Sequence, residues 1–298
     1  MRSIGGDERG VMDPESVFEV PRGAAAVPRT VLKVRGADGI EAPDQLAVEE
    51  PLEIRLGGIA FTVTMRTPGD DEDLVAGLLH AEGLIPDADS LDVIARYRGP
   101  DDDADPGNVI NVLLKGDVQA VRERLRRSLV ASSACGVCGK VTIESIRIAC
   151  PPVISDVTVP ADLFPRLAAA MAAAQSTFER TGGLHAAGLF DTDGRLLVLR
   201  EDIGRHNAVD KVVGHMLRAR RLPLDRQILL VSGRASFEIM QKAWVARIPI
   251  VAAVSAPSSM AVQMALAADI TLVGFLRASG FNVYAGGRRV TLAVEKAA

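Results

Sequence analysis

Apolar and polar residues alternate along Leu46–Leu56 and again along Ile59–Met65, with Gly57-Gly58 between them. A period of two predicts strands with one buried face, and the paired glycines predict a hairpin. Thr30–Val34 predicts a strand before them. Thr67-Pro68-Gly69-Asp70-Asp71 stops the sheet. Asp70 or Asp71 can cap a helix running to about His80, whose first-turn acids face the positive end of the helix dipole. Val109–Leu114 predicts another strand, and Val118–Leu129 an arginine-rich surface helix. The acidic run Asp101–Asp105 reads as a solvated loop. Met1 to about Arg29 has no period and is rich in Gly, Pro, Ala and charge, so it reads as a loose tail.

The second half is more regular. Asp162–Arg180 predicts an Ala-rich helix stopped by Gly182-Gly183. Leu184–Phe190 and Arg195–Leu199 read as strands around Asp193-Gly194, a hairpin signal. Then come a helix from about Asn207 to Arg220, a strand Gln227–Ser232, a helix Ser236–Arg247, and a strand Pro249–Val254. A helix Ser258–Ala268 and a strand Ile270–Phe275 follow. Buried β-branched strands alternating with helices imply a largely parallel sheet covered on both faces and opened by one hairpin. This order resembles the cytidine-deaminase-like fold, a three-layer α/β/α arrangement. That fold carries an H-x-E zinc motif at the helix after the hairpin and P-C-x-x-C at the next helix. Here those positions read Asp202-Ile203-Gly204-Arg205-His206-Asn207-Ala208 and Ser232-Gly233-Arg234-Ala235-Ser236-Phe237-Glu238. The zinc motifs are absent, so the residues do not support deaminase chemistry.

Composition narrows the class. A length of 298 residues suits one large domain or two smaller ones, and 48% hydrophobic content means a packed core. No apolar run reaches membrane-span length; Trp244–Val254 is broken by Arg247 and Pro249. The first thirty residues lack an apolar signal region. A net charge of −4 gives no support for nucleic-acid binding. The three cysteines do not make a secreted disulfide framework, and a reducing cytoplasm is the expected compartment.

Cys135-Gly136-Val137-Cys138 carries the most chemistry. Two thiols at this spacing can share a disulfide, a metal or a sulfane sulfur, and the neighbouring glycines let the backbone bend so both face one point. Lys140 and Arg126-Arg127 lie close in sequence, and positive charge favours the thiolate. Four readings stay open. The pair can carry a persulfide, join Cys150 and a histidine in a structural zinc site, act as a thioredoxin-like couple, or sit inert in a core. Cys150 ends the apolar run Ile146–Ala149 and reads as inert.

The strand-to-helix junctions should lie side by side at the carboxyl edge of the sheet, where open α/β folds bind ligands. Each exposes helix N-terminal amides that suit phosphate. Gly204 and Gly233 permit close approach, Arg205, Arg234 and Lys211 supply cations, and Ser232, Ser236, Ser255, Ser258 and Ser259 supply hydroxyls. Asp202 or Asp210 can receive a ribose hydroxyl or the N1/N2 edge of guanine. The arrangement reads as a nucleotide or pyrophosphate site, while for any single residue an ordinary cap or turn explains it equally. Of the four histidines, His206 is best placed; His80 and His215 read as structural, and His185, opening an apolar strand, as a core histidine.

The chain resembles the formate dehydrogenase accessory sulfurtransferase family, FdhD, from about Glu49 to Tyr284. The motifs that carry this are Glu50-Pro51-Leu52-Glu53-Ile54, Met65-Arg66-Thr67-Pro68-Gly69-Asp70-Asp71, the cysteine segment, Thr181-Gly182-Gly183-Leu184-His185, Glu201–Lys211 and Ser232–Ser236. The resemblance implies a sulfurtransferase that takes sulfur as a cysteine persulfide from a cysteine desulfurase. It implies delivery to the molybdenum cofactor in its bis(molybdopterin guanine dinucleotide) form, bound as substrate, for a formate dehydrogenase client. It implies Cys135 as the persulfide residue, Cys138 as its relay, and cofactor contacts at Phe275, Leu276, Arg277, Ala278, Ser279 and Gly280. Two guanine dinucleotides suggest a homodimer. The expected organisation is a tail over 1–29, an N-terminal α/β subdomain over 30–130, a mobile C-x-x-C loop with connecting strand over 131–150, and a cytidine-deaminase-like cofactor-binding domain over 151–298. The runner-up is a cofactor chaperone that moves no sulfur.

Overall fold

The computed structural model describes residues 21, 23–97, 107–116 and 150–292. Cys135 and Cys138, the helix expected at 118–129, the acidic loop and most of the expected tail lie outside the described residues. What is described is mixed α/β.

The N-terminal part begins with an antiparallel hairpin, β1 (Ala26–Arg35) and β2 (Asp38–Ala47). The expected strand Thr30–Val34 is therefore longer at both ends. The expected strand Leu46–Leu56 is two strands, since β2 ends at Ala47 and β3 (Glu50–Leu56) begins a different sheet. That sheet runs β4-β3-β6-β5, with β4 (Ile59–Arg66), β5 (Leu91–Arg96) and β6 (Val109–Leu114). Strand β5 is not visible in the sequence pattern, because no residue of Leu-Asp-Val-Ile-Ala-Arg is fully buried. Alternate residues Leu52, Ile54, Leu56, Ile110 and Val112 point to one face and bury against Leu74, Val75 and Leu79 of α1 (Asp71–Ala81).

The C-terminal part is a six-stranded sheet in the order β13-β12-β11-β10-β8-β9. Strands β10 (Ile228–Val231), β11 (Ile250–Ala253) and β12 (Thr271–Arg277) are parallel. Antiparallel neighbours flank them: β8 (His185–Phe190) with β9 (Leu196–Asp202) on one side, and β13 (Gly280–Ala285) on the other. Alternation sends Leu229, Val231, Val251 and Ala253 toward α4 (Arg205–Arg218), α5 (Phe237–Val245) and α6 (Ser259–Ala268). It sends Ile228, Leu230, Ile250 and Ala252 toward α2 (Leu163–Ala174) on the opposite face. Both faces are covered, which is why these strands read as continuous apolar runs. A short parallel pair, β7 (Val159–Pro160) with β14 (Val290–Thr291), closes the α2 side.

The helix expected over Asp162–Arg180 is broken. It stops at Ala174 and restarts as α3 (Ser176–Thr181). The break at Gln175 frees the Thr177 and Phe178 amides, which donate to the Glu201 carboxylate at 2.9 and 2.7 Å. A carboxylate at a helix start stabilises the exposed donors, and an Ala-rich sequence does not reveal it.

The two parts meet along α1 and α4, where glycines let the backbones touch. A Cβ at Gly77 would stand 1.9 Å from Asp210 O, and one at Gly214 would stand 1.8 Å from Asp73 O. Charge frames this crossing. Asp73 accepts from Arg200 at 2.9 Å and Arg218 at 2.6 Å, and lies 3.2 Å from His215 Nδ1. Burial works against the Asp73 charge, but the two arginines outweigh it and hold the carboxyl below its usual range. Among the described residues, no helix is long and apolar enough to cross a membrane.

Gly77→Ala or Gly214→Ala should cost about 2–3 kcal/mol in chemical denaturation, because overpacking at the crossing exceeds the gain in helix propensity. Asp73 contributes stability that is full above the ordinary carboxylate pKa and is lost as pH falls through its own lowered value. Asp73→Asn should therefore shrink the acid-induced loss of stability in denaturation midpoints taken from neutral pH downward.

Candidate ligand site at the sheet edge

The site is held up from below by a buried polar latch. Arg66, at the end of β4, is fully buried and donates to Glu50 at 3.0 Å, to both oxygens of Asp71 at 3.0 and 3.2 Å, and to Asn108 at 2.8 Å. This fixes the following Thr67-Pro68-Gly69 turn. Thr67 then reaches across to the end of β9: its N–H donates to Asp202 Oδ2 at 3.2 Å, and its hydroxyl oxygen accepts from Ile203 N at 3.1 Å. Lys211, from α4, meets Asp202 Oδ2 at 2.7 Å and Thr67 O at 2.9 Å. Asn207 donates to Asp202 Oδ1 at 2.9 Å and Met65 O at 2.7 Å. Gly204 N also donates to Asp202 Oδ1, at 2.8 Å.

The sequence reading offered Asp202, Asp210 and Lys211 as ligand groups, and the structure places all three inside. Asp202 is 0% exposed and Lys211 1% exposed, and each is satisfied by protein groups. Asp210 is equally enclosed, held by Lys242 at 2.7 and 2.8 Å, with burial pushing its carboxyl up against that pairing. None of the three offers an open atom to a ligand. Residue type alone pointed to ligand contact because burial is not readable from a motif.

Above the latch, several expected residues do converge. His206, in the first turn of α4, places Nε2 2.8 Å from Glu238 Oε2 and 3.0 Å from Ser236 Oγ, joining the starts of α4 and α5. Its proximity holds the Glu238 carboxyl below the usual range, chiefly through the His206 hydrogen bond. Gly233 lies between His185 and Arg205: a Cβ there would sit 3.3 Å from His185 Nδ1 and 3.6 Å from Arg205 Cδ. Burial, then the charges of Arg205 and His206, push the His185 imidazole down, so it is neutral at neutral pH. Arg234 is exposed on the same loop.

The serines behave mostly as caps. Ser236 accepts from Ile239 N at 3.5 Å, Ser258 from Ala261 N at 3.2 Å, and Ser232 Oγ from Ala186 N at 2.9 Å. The loops they start run together beyond the strands. Ser255 N donates to Gly233 O at 3.4 Å, Ala235 bridges Pro257, and Phe275 N donates to Ser255 O at 3.1 Å. The stretch Phe275–Gly280 thus reaches the same edge, as the end of β12 and the turn into β13. Phe275 has φ 53° and Gly280 φ 149°. Leu276 is buried, while Ala278 and Ser279 are exposed. Arg277 is held by Val254 O and, at 2.9 Å, by Leu276 O.

A cavity of about 620 Å³ opens beside Leu276 and Arg277. Ser232, Val254, Leu184 and His185 line one side, and Met171, Gln175 and Phe178 the other, with Gly182-Gly183 between. The sequence reading missed the α2 and α3 side and set His185 aside; the Thr181–His185 motif was the signal for it. Among the described residues, no cluster of three or more His, Cys, Asp or Glu could hold a metal. Cys150 is half-buried, and burial pushes its thiol up despite Arg247.

A mixed α/β core of this kind defines the class of fold, and the same fold is found in a solved structure. A crystal structure described as a formate dehydrogenase accessory protein from Desulfotalea psychrophila matches with a TM-score of 0.70 at 24% identity, covering 90% of this chain and 100% of that one. Closer relatives share sequence as well. The chain is 49% identical over 269 residues to a protein of Streptomyces avermitilis (89% and 95% of the two chains), and 50% identical over 272 residues to one of Nocardia farcinica (90% and 96%). It is 47% identical over 277 residues to one of Mycobacterium tuberculosis (90% and 100%). Each of the three is named sulfur carrier protein FdhD. The model of the FdhD/NarQ family matches residues 47–291. The chain belongs to the FdhD/NarQ family.

Removing one partner of the Asp202–Lys211 pair strands a buried charge and should cost about 3–5 kcal/mol. Lys211→Met and Asp202→Asn should each lower the denaturation midpoint sharply, and combining them should recover part of that loss.

Proposed function

We infer that the protein is a sulfur carrier serving the maturation of a formate dehydrogenase. The observation that carries this is near full-length likeness to relatives named sulfur carrier protein, in a chain that holds Cys135 and Cys138 together. In this reading the Cys135 thiolate attacks the outer sulfur of a persulfide on a cysteine desulfurase. The S–S bond to the donor breaks, the donor cysteine leaves as a thiolate, and Cys135 keeps the sulfane sulfur. Cys138 can then attack the inner sulfur of that persulfide. A Cys135–Cys138 disulfide closes and hydrosulfide is released, the disulfide keeping the oxidising equivalents. The released sulfur becomes a ligand of the molybdenum in bis(molybdopterin guanine dinucleotide), which is the substrate here.

The sheet edge supports cofactor binding. Gly204 and Gly233 keep its loops close and Gly280 turns the chain at φ 149°, Arg205, Arg234 and Arg277 bring positive charge, and the starts of α4 and α5 supply backbone donors. The hairpin-led strand order, with three parallel strands and a helix at each junction, supports the cytidine-deaminase-like reading. At the positions of that fold's zinc motifs stand His206, Ser236 and Glu238, with His206 Nε2 meeting each of the other two. A homodimer that brings one nucleotide site from each subunit belongs to the same proposal. So does cytoplasmic action.

The test is direct. Purified protein is incubated with a cysteine desulfurase and free cysteine, then analysed by intact mass and peptide mapping. One added sulfur should appear on the peptide holding Cys135 and Cys138. Cys135→Ala should abolish it, and Cys150→Ala should leave it in place. Persistence of the added sulfur in Cys135→Ala would sink the assignment. Normal maturation of the dehydrogenase by that variant would favour a chaperone.

A further inference from the structure

Glu201 opens the Glu201–Lys211 motif near the end of β9, yet its side chain stays out of the latch. Its Oε2 accepts from Thr177 N and its Oε1 from Phe178 N, so both oxygens go to a segment more than twenty residues away. The backbone of the same residue does belong to the latch: Glu201 O accepts from Lys211 Nζ at 3.4 Å, and the next residue is Asp202. One residue thus joins the latch to α3.

Helix α3 has little else to hold it. It is six residues long, far shorter than a helix that persists in water by itself. Packing adds little, since Thr177 is its one buried residue and Phe178 is 43% exposed. Its last turn closes on itself: Thr181 Oγ1 donates to Thr177 O at 2.9 Å, and Gly182 ends the helix at φ 65°. Gly183 then passes close to β2, where a Cβ would stand 3.1 Å from that of Ala47. The start of α3 is therefore set mainly by two charge-assisted bonds to one carboxylate. What α3 carries is a wall of the cavity. Phe178, Gly182 and Gly183 line it and Leu184 and His185 continue it, while Glu201 is not part of the lining.

We propose that Glu201 is a positioning residue for the ligand of the sheet edge: through α3 it sets the place of the Phe178–His185 wall, and through its own peptide unit it fixes that wall to the latch. It touches no ligand itself. The inference rests on the reading of this edge as the cofactor-binding surface and adds the residue that keeps one wall in register with the rest. Without the carboxylate, α3 spends only part of its time in the competent place, and the apparent affinity falls by that fraction.

Three measurements on the full chain test this: amide hydrogen exchange, calorimetric titration with GDP as a fragment of the proposed cofactor, and sulfur loading from a cysteine desulfurase. Glu201→Ala should speed exchange at Thr177 and Phe178 and weaken GDP about tenfold, as for a wall in place about a tenth of the time. Glu201→Asp keeps the charge but is one methylene too short, so it should behave like Glu201→Ala. Glu201→Gln keeps the length and one acceptor oxygen, so it should lose only about threefold. Thermal melts confirm that each variant is folded, and Glu201→Gln carries the test if Glu201→Ala is not. Persulfide loading on Cys135 should stay at the wild-type level in all three, which a general loss of structure would not allow. Wild-type GDP affinity in variants whose Thr177 and Phe178 exchange has risen overturns the proposal. So does unchanged exchange in Glu201→Ala, or loading that falls in step with GDP affinity. A wild type that loads sulfur but binds no GDP overturns the reading of the edge itself, and this inference with it.

Discussion

The Asp202–Lys211 pair is the constraint on which the arrangement rests. Two opposite charges without solvent contact are tolerable only when every remaining donor and acceptor is met. Here the Thr67 amide and carbonyl come from the other half of the chain, while Asn207, on α4 with Lys211, meets Asp202 and holds Met65 O across the junction. Polar satisfaction therefore fixes the N-terminal sheet against the C-terminal one. The Gly77–Gly214 crossing of α1 and α4 adds the close approach that apolar packing requires.

The latch has a consequence for chemistry. It sits directly beneath the first turn of α4, so it sets where Arg205 and His206 stand. His206 in turn ties α4 to α5 through Ser236 and Glu238. Gly233, with no side chain, leaves His185 and Arg205 in near contact. The sheet edge is thus assembled from several loop junctions, and its geometry is set by the buried residues beneath it. Preorganisation of this kind lowers the ordering cost of binding.

A carrier of sulfur has two separate needs. It needs a nucleophilic thiolate that can visit a donor and an acceptor, and it needs an acceptor site that keeps its shape. The proposed division places the first on Cys135 and Cys138 and the second on the sheet edge. Cys150 does not fit the first need, because burial favours its neutral thiol, which is the less nucleophilic form.

The sequence by itself determined the alternation of strands and helices in the second half, the hairpin around Gly57-Gly58, and the family through its motifs. Buried parallel strands leave apolar runs, and glycine leaves turns, because both signals are local. It also marked the stretches that gather at the edge: Gly204–His206, Ser232–Ser236 and Phe275–Gly280. Only the tertiary structure decided which motif residues stand open at the sheet edge and which are enclosed by the fold. Asp202, Asp210 and Lys211 look like ligand groups in a linear reading, yet their partners, Thr67 and Lys242, are distant in sequence and enclose them. The break between α2 and α3 was invisible for the converse reason: an Ala-rich run carries no signal for it, and the Glu201 carboxylate that takes the freed Thr177 and Phe178 amides lies on another strand. Burial and pairing are properties of segments brought together, and no local pattern encodes them.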